Sequence, residues 1–435
     1  MEKLKQKFFE KSQNLRAEVK QWSKEKGDVP LDSVSVRQLL GGARGVKMML
    51  WEPSVLDPVE GIRFRGYSIP RLRELLPKGD GTEPLPEGLF WLMLVNEIPT
   101  EEDVKWLTDQ WTQRSNVPEH TFKALDSLSP DTHPMTQFVL AISSMQSTSI
   151  FSRRYADGMS KGEYWRPVYE DVMNLIARLP RIAAYIYRRT YHKGDHIAPD
   201  ISLDWAANFA HMLGNDSEDF KNLMRLYLTI HADHEGGNAS AHTTHLVNST
   251  LSDPYLSFAA GMTALAGPLH GLANQEVVKW ITNMLDALGT DEPTKEQIAE
   301  YVQGTLKAGK VIPGYGHAVL RRPDPRFMAQ KVFAEEHLPD DKMVQVVWKV
   351  FEVVPPILQG LGKVKNPWPN VDAHSGALLM HYGIKEYSFY TVLFGVSRAL
   401  GVLASICWSR ALGLPLERPK SVNSEWLRET LEGKA

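Results

Sequence analysis

The chain has 435 residues, enough for about two or three domains' worth of core, and its 43% hydrophobic and 23% charged residues exclude a wholly disordered protein. Lys and Arg number 49 against 52 Asp and Glu, a net charge of −3. No general field draws nucleic acid or an acidic membrane, and any anion binding must come from local clusters.

One cysteine, Cys407, leaves no internal disulfide and no cysteine-based zinc site. The N-x-S/T triplets at Asn215, Asn238 and Asn248 read as chance, and a reduced intracellular compartment is the simplest setting. At the N-terminus, Leu4, Phe8, Leu15, Val19 and Trp22 recur at helical spacing without the apolar run of a signal peptide. Glu2, Glu10, Glu18 and Glu25 argue against a transit peptide, so the stretch predicts a surface helix packed on the body.

Residues 61–69 alternate in a strand-like way and predict a small hairpin at most. Apolar residues at intervals of three and four then predict helices over 102–113, 164–187, 219–229, 294–307 and 343–358. Thr294 with Gln297 fits a capping box, and Asp253-Pro254 fits an N-cap followed by proline. The stretch 389–408 is long and apolar enough to span a bilayer, yet Arg398 sits at its middle, which predicts a buried core helix. No repeat is present, and the fold class is mainly α.

Turn-rich segments at 236–238, 267–274, 313–317 and 366–375 concentrate glycine, proline and ionisable residues between apolar helices, where a site is expected. His231, His234, His242 and His245 pair at i,i+3, but the order is not that of a zinc protease and Gly236-Gly237 separates the pairs. Packing or capping and substrate contact both stay open for them, and no metal is expected. His270 follows Gly267-Pro268 at a helix junction, where backbone hydrogen bonds can hold an imidazole neutral. His317, beside Gly314 and Gly316 and followed by Arg321, Arg322 and Arg326, suggests a carbonyl donor near anion-binding groups. Asp372, alone in a proline-stiffened loop, is either a base with a raised pKa or the cap of a helix starting near Ala373. Arg398 must find an anion, either a protein carboxylate or a dicarboxylate ligand.

The runs at 234–238 (His-Glu-Gly-Gly-Asn), 267–276 (Gly-Pro-Leu-His-Gly-Leu-Ala-Asn-Gln-Glu), 313–321 (Pro-Gly-Tyr-Gly-His-Ala-Val-Leu-Arg), 366–376 (Asn-Pro-Trp-Pro-Asn-Val-Asp-Ala-His-Ser-Gly) and 394–399 (Phe-Gly-Val-Ser-Arg-Ala) resemble citrate synthase of the mitochondrial type, in order and spacing. The resemblance runs from about 41 to 421, with Thr263-Ala264 standing where Asn-Gly is usual. It implies a two-domain helical homodimer with a very small β element. The large domain would be 1–270 plus 381–435, and the small mobile domain 271–380. The implied reaction condenses acetyl-CoA with oxaloacetate through an enol and citryl-CoA, then hydrolyses to citrate and CoA, with no cofactor.

By the same resemblance Asp372 is the base, His270 holds the thioester oxygen and His317 polarises the ketone. His234, Asn238, Arg326 and Arg398 would bind oxaloacetate, with Arg418 coming from the other subunit. Leu272, Ala273, Val311, Gly314, Lys363, Val364, Lys365, the adjoining Asn366, and Asn370 would line CoA, with Arg44 and the partner subunit's Lys161 near its phosphates. Position 161 is lysine where vertebrate members carry arginine, which keeps the charge but loses the bidentate fork. Rival readings are a 2-methylcitrate synthase using propionyl-CoA, a non-catalytic filament-forming relative and a histidine-bound metal hydrolase. If Met1 is the native start the expected compartment is the cytoplasm; if a presequence was removed, it is the mitochondrial matrix.

Overall fold

The computed structural model describes residues 2–362 and 364–433, which form a mainly helical protein with one small antiparallel sheet. The expected helices form as Glu101–Arg114, Trp165–Tyr191, Glu218–Ile230, Lys295–Lys307 and Lys342–Gly360. The Thr294–Gln297 capping box is present, and the Asp253 carboxylate accepts from the Tyr255 and Leu256 N–H groups. The expected small hairpin forms within 61–69, and one further strand precedes it. Three strands, Ser54–Asp57, Gly61–Phe64 and Tyr67–Ser68, pair in chain order. The extra strand, Ser54–Asp57, pairs with Gly61–Phe64 and is also tied to a distant segment, Ser54 Oγ donating to the Asp233 carboxylate and the Leu56 N–H to that of Glu235.

The Tyr390–Leu412 helix is buried over nearly its whole length and packs against Lys3–Lys26, Trp165–Tyr191 and Pro254–Leu265. Burial on every side explains why its sequence has no polar face. In the first helix Leu4 and Phe8 are buried, Leu15 and Val19 pack partly buried against the core, and Trp22 is half-exposed, so burial falls off toward the helix's C-terminal end. A second apolar cluster, separate from the main core, joins Val277, Ile281, Ile298, Val302, Phe327, Val350 and Ala377.

Candidate active site

Four helix starts and two loops bring the site together. Asn238 caps the Ala239–Ser249 helix, and its side-chain oxygen accepts from the Ala241 N–H. His270 lies between the Pro254–Leu265 and Ala273–Leu288 helices. Asp324 caps Pro325–His337, placing Arg326 in its first turn, and Asp372 opens Asp372–His381. The His317 and Asp372 loops are tied together: Gly316 donates to the Trp368 carbonyl, Asn370 to that of Gly314, and Asp324 to that of Pro369. Gly314 has φ +78, and a Cβ there would lie 2.8 Å from Val277 Cγ2 and 3.0 Å from Ala373 Cα, so glycine is needed for this approach.

The two loop histidines have opposite tautomers. The Ser240 N–H, which can only donate, points at His270 Nε2 (3.2 Å), with Ser240 Oγ at 2.8 Å. Nε2 is therefore an acceptor and the proton sits on Nδ1. In His317 it is Nδ1 that accepts, from Val319 N–H (3.0 Å) and Leu320 N–H (3.1 Å), so the proton sits on Nε2. Burial, reinforced by Arg398 for His270 and by Arg326 for His317, pushes both pKa values down to about 4. Both rings are neutral donors at pH 7.

His234 packs edge-on to His317 at 5.2 Å between ring centroids. Burial, with Arg326 next, holds it far below the usual range, and its buried Nε2 has no partner among the described residues. A buried ring nitrogen without a partner is a ready contact for a ligand.

Asp372 is half-buried, and its carboxylate accepts no hydrogen bond from the described residues. Burial raises its pKa to about 6, against the opposing pull of Arg326. The capping alternative is not realised: Asp372 is the first residue inside the helix and makes no capping bond.

Arg398 is 1% exposed and meets no carboxylate within ion-pair distance among the described residues. Its guanidinium reaches only neutral acceptors, the His231 carbonyl (3.3 Å), Asn238 Oδ1 (3.1 Å) and Ser240 Oγ (3.4 Å), and lies over the Phe394 ring. Arg326 differs, because Asp324 takes its Nε and Nη2 in a two-pronged pair. Arg321 and Arg322 are exposed, and Arg321 caps the carbonyls of 318–320, so only Arg326 of the three arginines contributes to the site.

Three groups that the sequence reading passed over complete the arrangement. Ser240 orients His270, and Asp324 holds Arg326. Buried Asp233 accepts from Trp51 Nε1 (2.8 Å) and Ser54 Oγ (2.7 Å) and exerts the strongest opposing charge on Arg398. Asp324-Pro325 repeats the cap signal of Asp253-Pro254 and was findable from it; the other two depend on contacts across the fold.

The remaining expected contacts are dispersed. Leu272 and Ala273 start the Ala273–Leu288 helix, Val311, Val364 and Lys365 are exposed, and Lys363 lies outside the described residues. Asn370 is already engaged, accepting from the Asp372 N–H and donating to the Gly316 carbonyl, which makes it a brace between the two loops. Arg44, Lys161 and Arg418 are exposed and are not drawn into the cluster within one chain. His231 donates through Nδ1 to the Tyr227 carbonyl, and no three metal-ligating side chains converge among the described residues.

Residues 42–420 match the family model described as the C-terminal domain of citrate synthase. Mitochondrial citrate synthase from Daucus carota is 58% identical over 94% of this chain and 87% of its own length. The swordfish enzyme of the same name, from Xiphias gladius, is 55% identical over 96% and 89%. Among solved structures, citrate synthase from Pyrobaculum aerophilum shares 28% identity with a TM-score of 0.77, covering 88% of this chain and 92% of that one. The ternary complex of carboxymethyl coenzyme A and oxaloacetate with the Thermoplasma acidophilum enzyme has a TM-score of 0.75 at 22% identity, over 90% and 96%, a likeness of fold. With nearly the whole chain matched by the family model and by relatives above half identity, this chain belongs to the citrate synthase family.

Proposed function

We propose that this chain condenses acetyl-CoA with oxaloacetate to give citrate and CoA, using Asp372, His270 and His317 as the reacting groups. The observation that carries this reading is the pair of neutral histidines with opposite tautomers beside an unbonded carboxylate whose pKa is about 6. A thioester methyl is a weak acid, so removing its proton needs a base at carbon and a donor at oxygen together. Asp372 takes the proton while His270 Nδ1–H holds the developing enol oxygen. The enol carbon then attacks the ketone carbon of oxaloacetate, whose oxygen takes the proton of His317 Nε2. Water cleaves the resulting citryl thioester, and the CoA thiol leaves.

Arg398 and His234 Nε2, which among the described residues lack a carboxylate and a partner respectively, suit the two carboxylates of oxaloacetate, with Arg326 held at hand by Asp324. The separate apolar cluster within 277–377 supports a small domain at 271–380 on a large domain of 1–270 plus 381–435, closing over oxaloacetate to exclude water. CoA would lie along 272–273, 311–314 and 363–365. Arg418, exposed and without a hydrogen-bond or ion-pair partner among the described residues, would serve the site of a second copy in a homodimer. The relatives named mitochondrial favour the matrix over the cytoplasm as the compartment.

The test is release of free thiol from acetyl-CoA and from propionyl-CoA, with and without oxaloacetate. Oxaloacetate-dependent release, faster from acetyl-CoA, is expected. Preference for propionyl-CoA moves the product to 2-methylcitrate, and no release from either thioester refutes the reading.

A further inference from the structure

After the Tyr390–Leu412 helix the chain runs from 414 to 423 without regular structure before the Ser424–Leu431 helix begins. Leu416 and Arg418 in this stretch are exposed, and Arg418 makes no hydrogen bond or ion pair among the described residues. Between them, Glu417 is tied down. Its Oε1 lies 2.8 Å from His242 Nε2, its Oε2 lies 3.6 Å from His245 Nε2, and its N–H donates to Ser249 Oγ at 3.0 Å. The Glu417 side chain is only 12% exposed. All three partners belong to the Ala239–Ser249 helix, the same helix that orients His270 through Ser240 and meets Arg398 through Asn238.

We propose that Glu417 is a positioning residue: pinned to the Ala239–Ser249 helix by His242 and Ser249, it fixes where Arg418 projects and so sets oxaloacetate affinity in the second copy's site. This rests on the reading that Arg418 serves that site. Holding one residue by its side chain and its backbone restricts the next residue to a narrow range of directions. Without the anchor, one or two residues must be ordered at each binding event, at a cost of about tenfold in affinity.

The experiment measures steady-state kinetics for Glu417→Ala, Glu417→Gln, Arg418→Ala and the Glu417→Ala/Arg418→Ala pair, with oligomer mass and circular dichroism as checks on folding. Glu417→Ala is expected to raise the oxaloacetate KM about tenfold, with kcat within about threefold and the acetyl-CoA KM unchanged. Glu417→Gln, which keeps an acceptor for His242, should recover most of the loss. The double variant should be no more than about twofold worse than Arg418→Ala alone, since an anchor has nothing left to position. Two independent effects that multiply, or an unchanged KM in Glu417→Ala while Arg418→Ala raises it, overturn the proposal. An unchanged KM in Arg418→Ala overturns the reading beneath it, and the proposal too. Should Glu417→Ala not fold, His242→Gln makes the same measurement from the other side of the contact.

Discussion

Arg398 sets stability against function, and Arg398→Met separates the two. Burial pushes the Arg398 guanidinium from its ordinary pKa down to about 10. At 1% exposure there is no solvent screening to discount, and the displacement corresponds to about 3 kcal/mol of destabilisation in the empty enzyme. The sign follows from the direction: the charged form is disfavoured by folding, so the cost is fully present at neutral pH, begins to fall as pH rises past about 10 and is gone only above the guanidinium's ordinary value. Methionine fills similar volume without charge. It gives up three long hydrogen bonds, but Asn238 Oδ1 keeps the Ala241 N–H and Ser240 Oγ keeps His270, so the loss is about 1 kcal/mol. The empty variant should therefore melt at or a few degrees above the parent, since about 2 kcal/mol in a chain of this size moves the midpoint only slightly. Oxaloacetate should raise the parent's midpoint and leave the variant's unmoved. The assay is a thermal melt of both proteins with and without oxaloacetate. A variant that melts well below the parent, or one still stabilised by oxaloacetate, refutes the account of Arg398 as an anion receptor held at a cost.

The acid limb of kcat/KM for acetyl-CoA should be governed by Asp372, active as the carboxylate: rates fall tenfold per pH unit below about 6, and a second loss begins only near 4, where His270 and His317 charge. A profile flat to pH 5 would contradict this, read as loss of thioester ultraviolet absorbance. Gly314→Ala should lower kcat about tenfold and cost about 1–3 kcal/mol in a thermal melt, because the new methyl presses on the backbone of Ala373 beside the base. Mixed dimers of Asp372→Asn and Arg418→Ala chains should, at low oxaloacetate, exceed the average activity of the two parents, since one site then has both residues intact. Activity no greater than the average of the two parents would put Arg418 in its own chain's site.

The helices were legible because their signals are local. Thr294 with Gln297 and Asp253-Pro254 announce their caps within four residues, and the unbroken apolar run around Arg398 announces burial. The site histidines and Asp372 were legible for a related reason: loops that bend at glycine and proline hold them. Ser54 was not, because its meaning lies in a bond to Asp233, 179 positions away. The fate of the arginine cluster was equally hidden. Arg326 and Arg321 look alike in sequence, yet one closes on its own helix cap and the other turns outward to backbone carbonyls. The tautomers of His270 and His317 depend on which N–H groups the fold aims at each ring, and no spacing in the chain encodes that.

The central claim is that Asp372 removes the methyl proton while neutral His270 and His317 hold the two oxygens. The most direct measurement is oxaloacetate-dependent thiol release from acetyl-CoA by Asp372→Asn beside the parent, with KM for both substrates. The account predicts a kcat lower by about 10²–10⁴-fold with the oxaloacetate KM nearly unchanged. A variant within tenfold of the parent in kcat would contradict it.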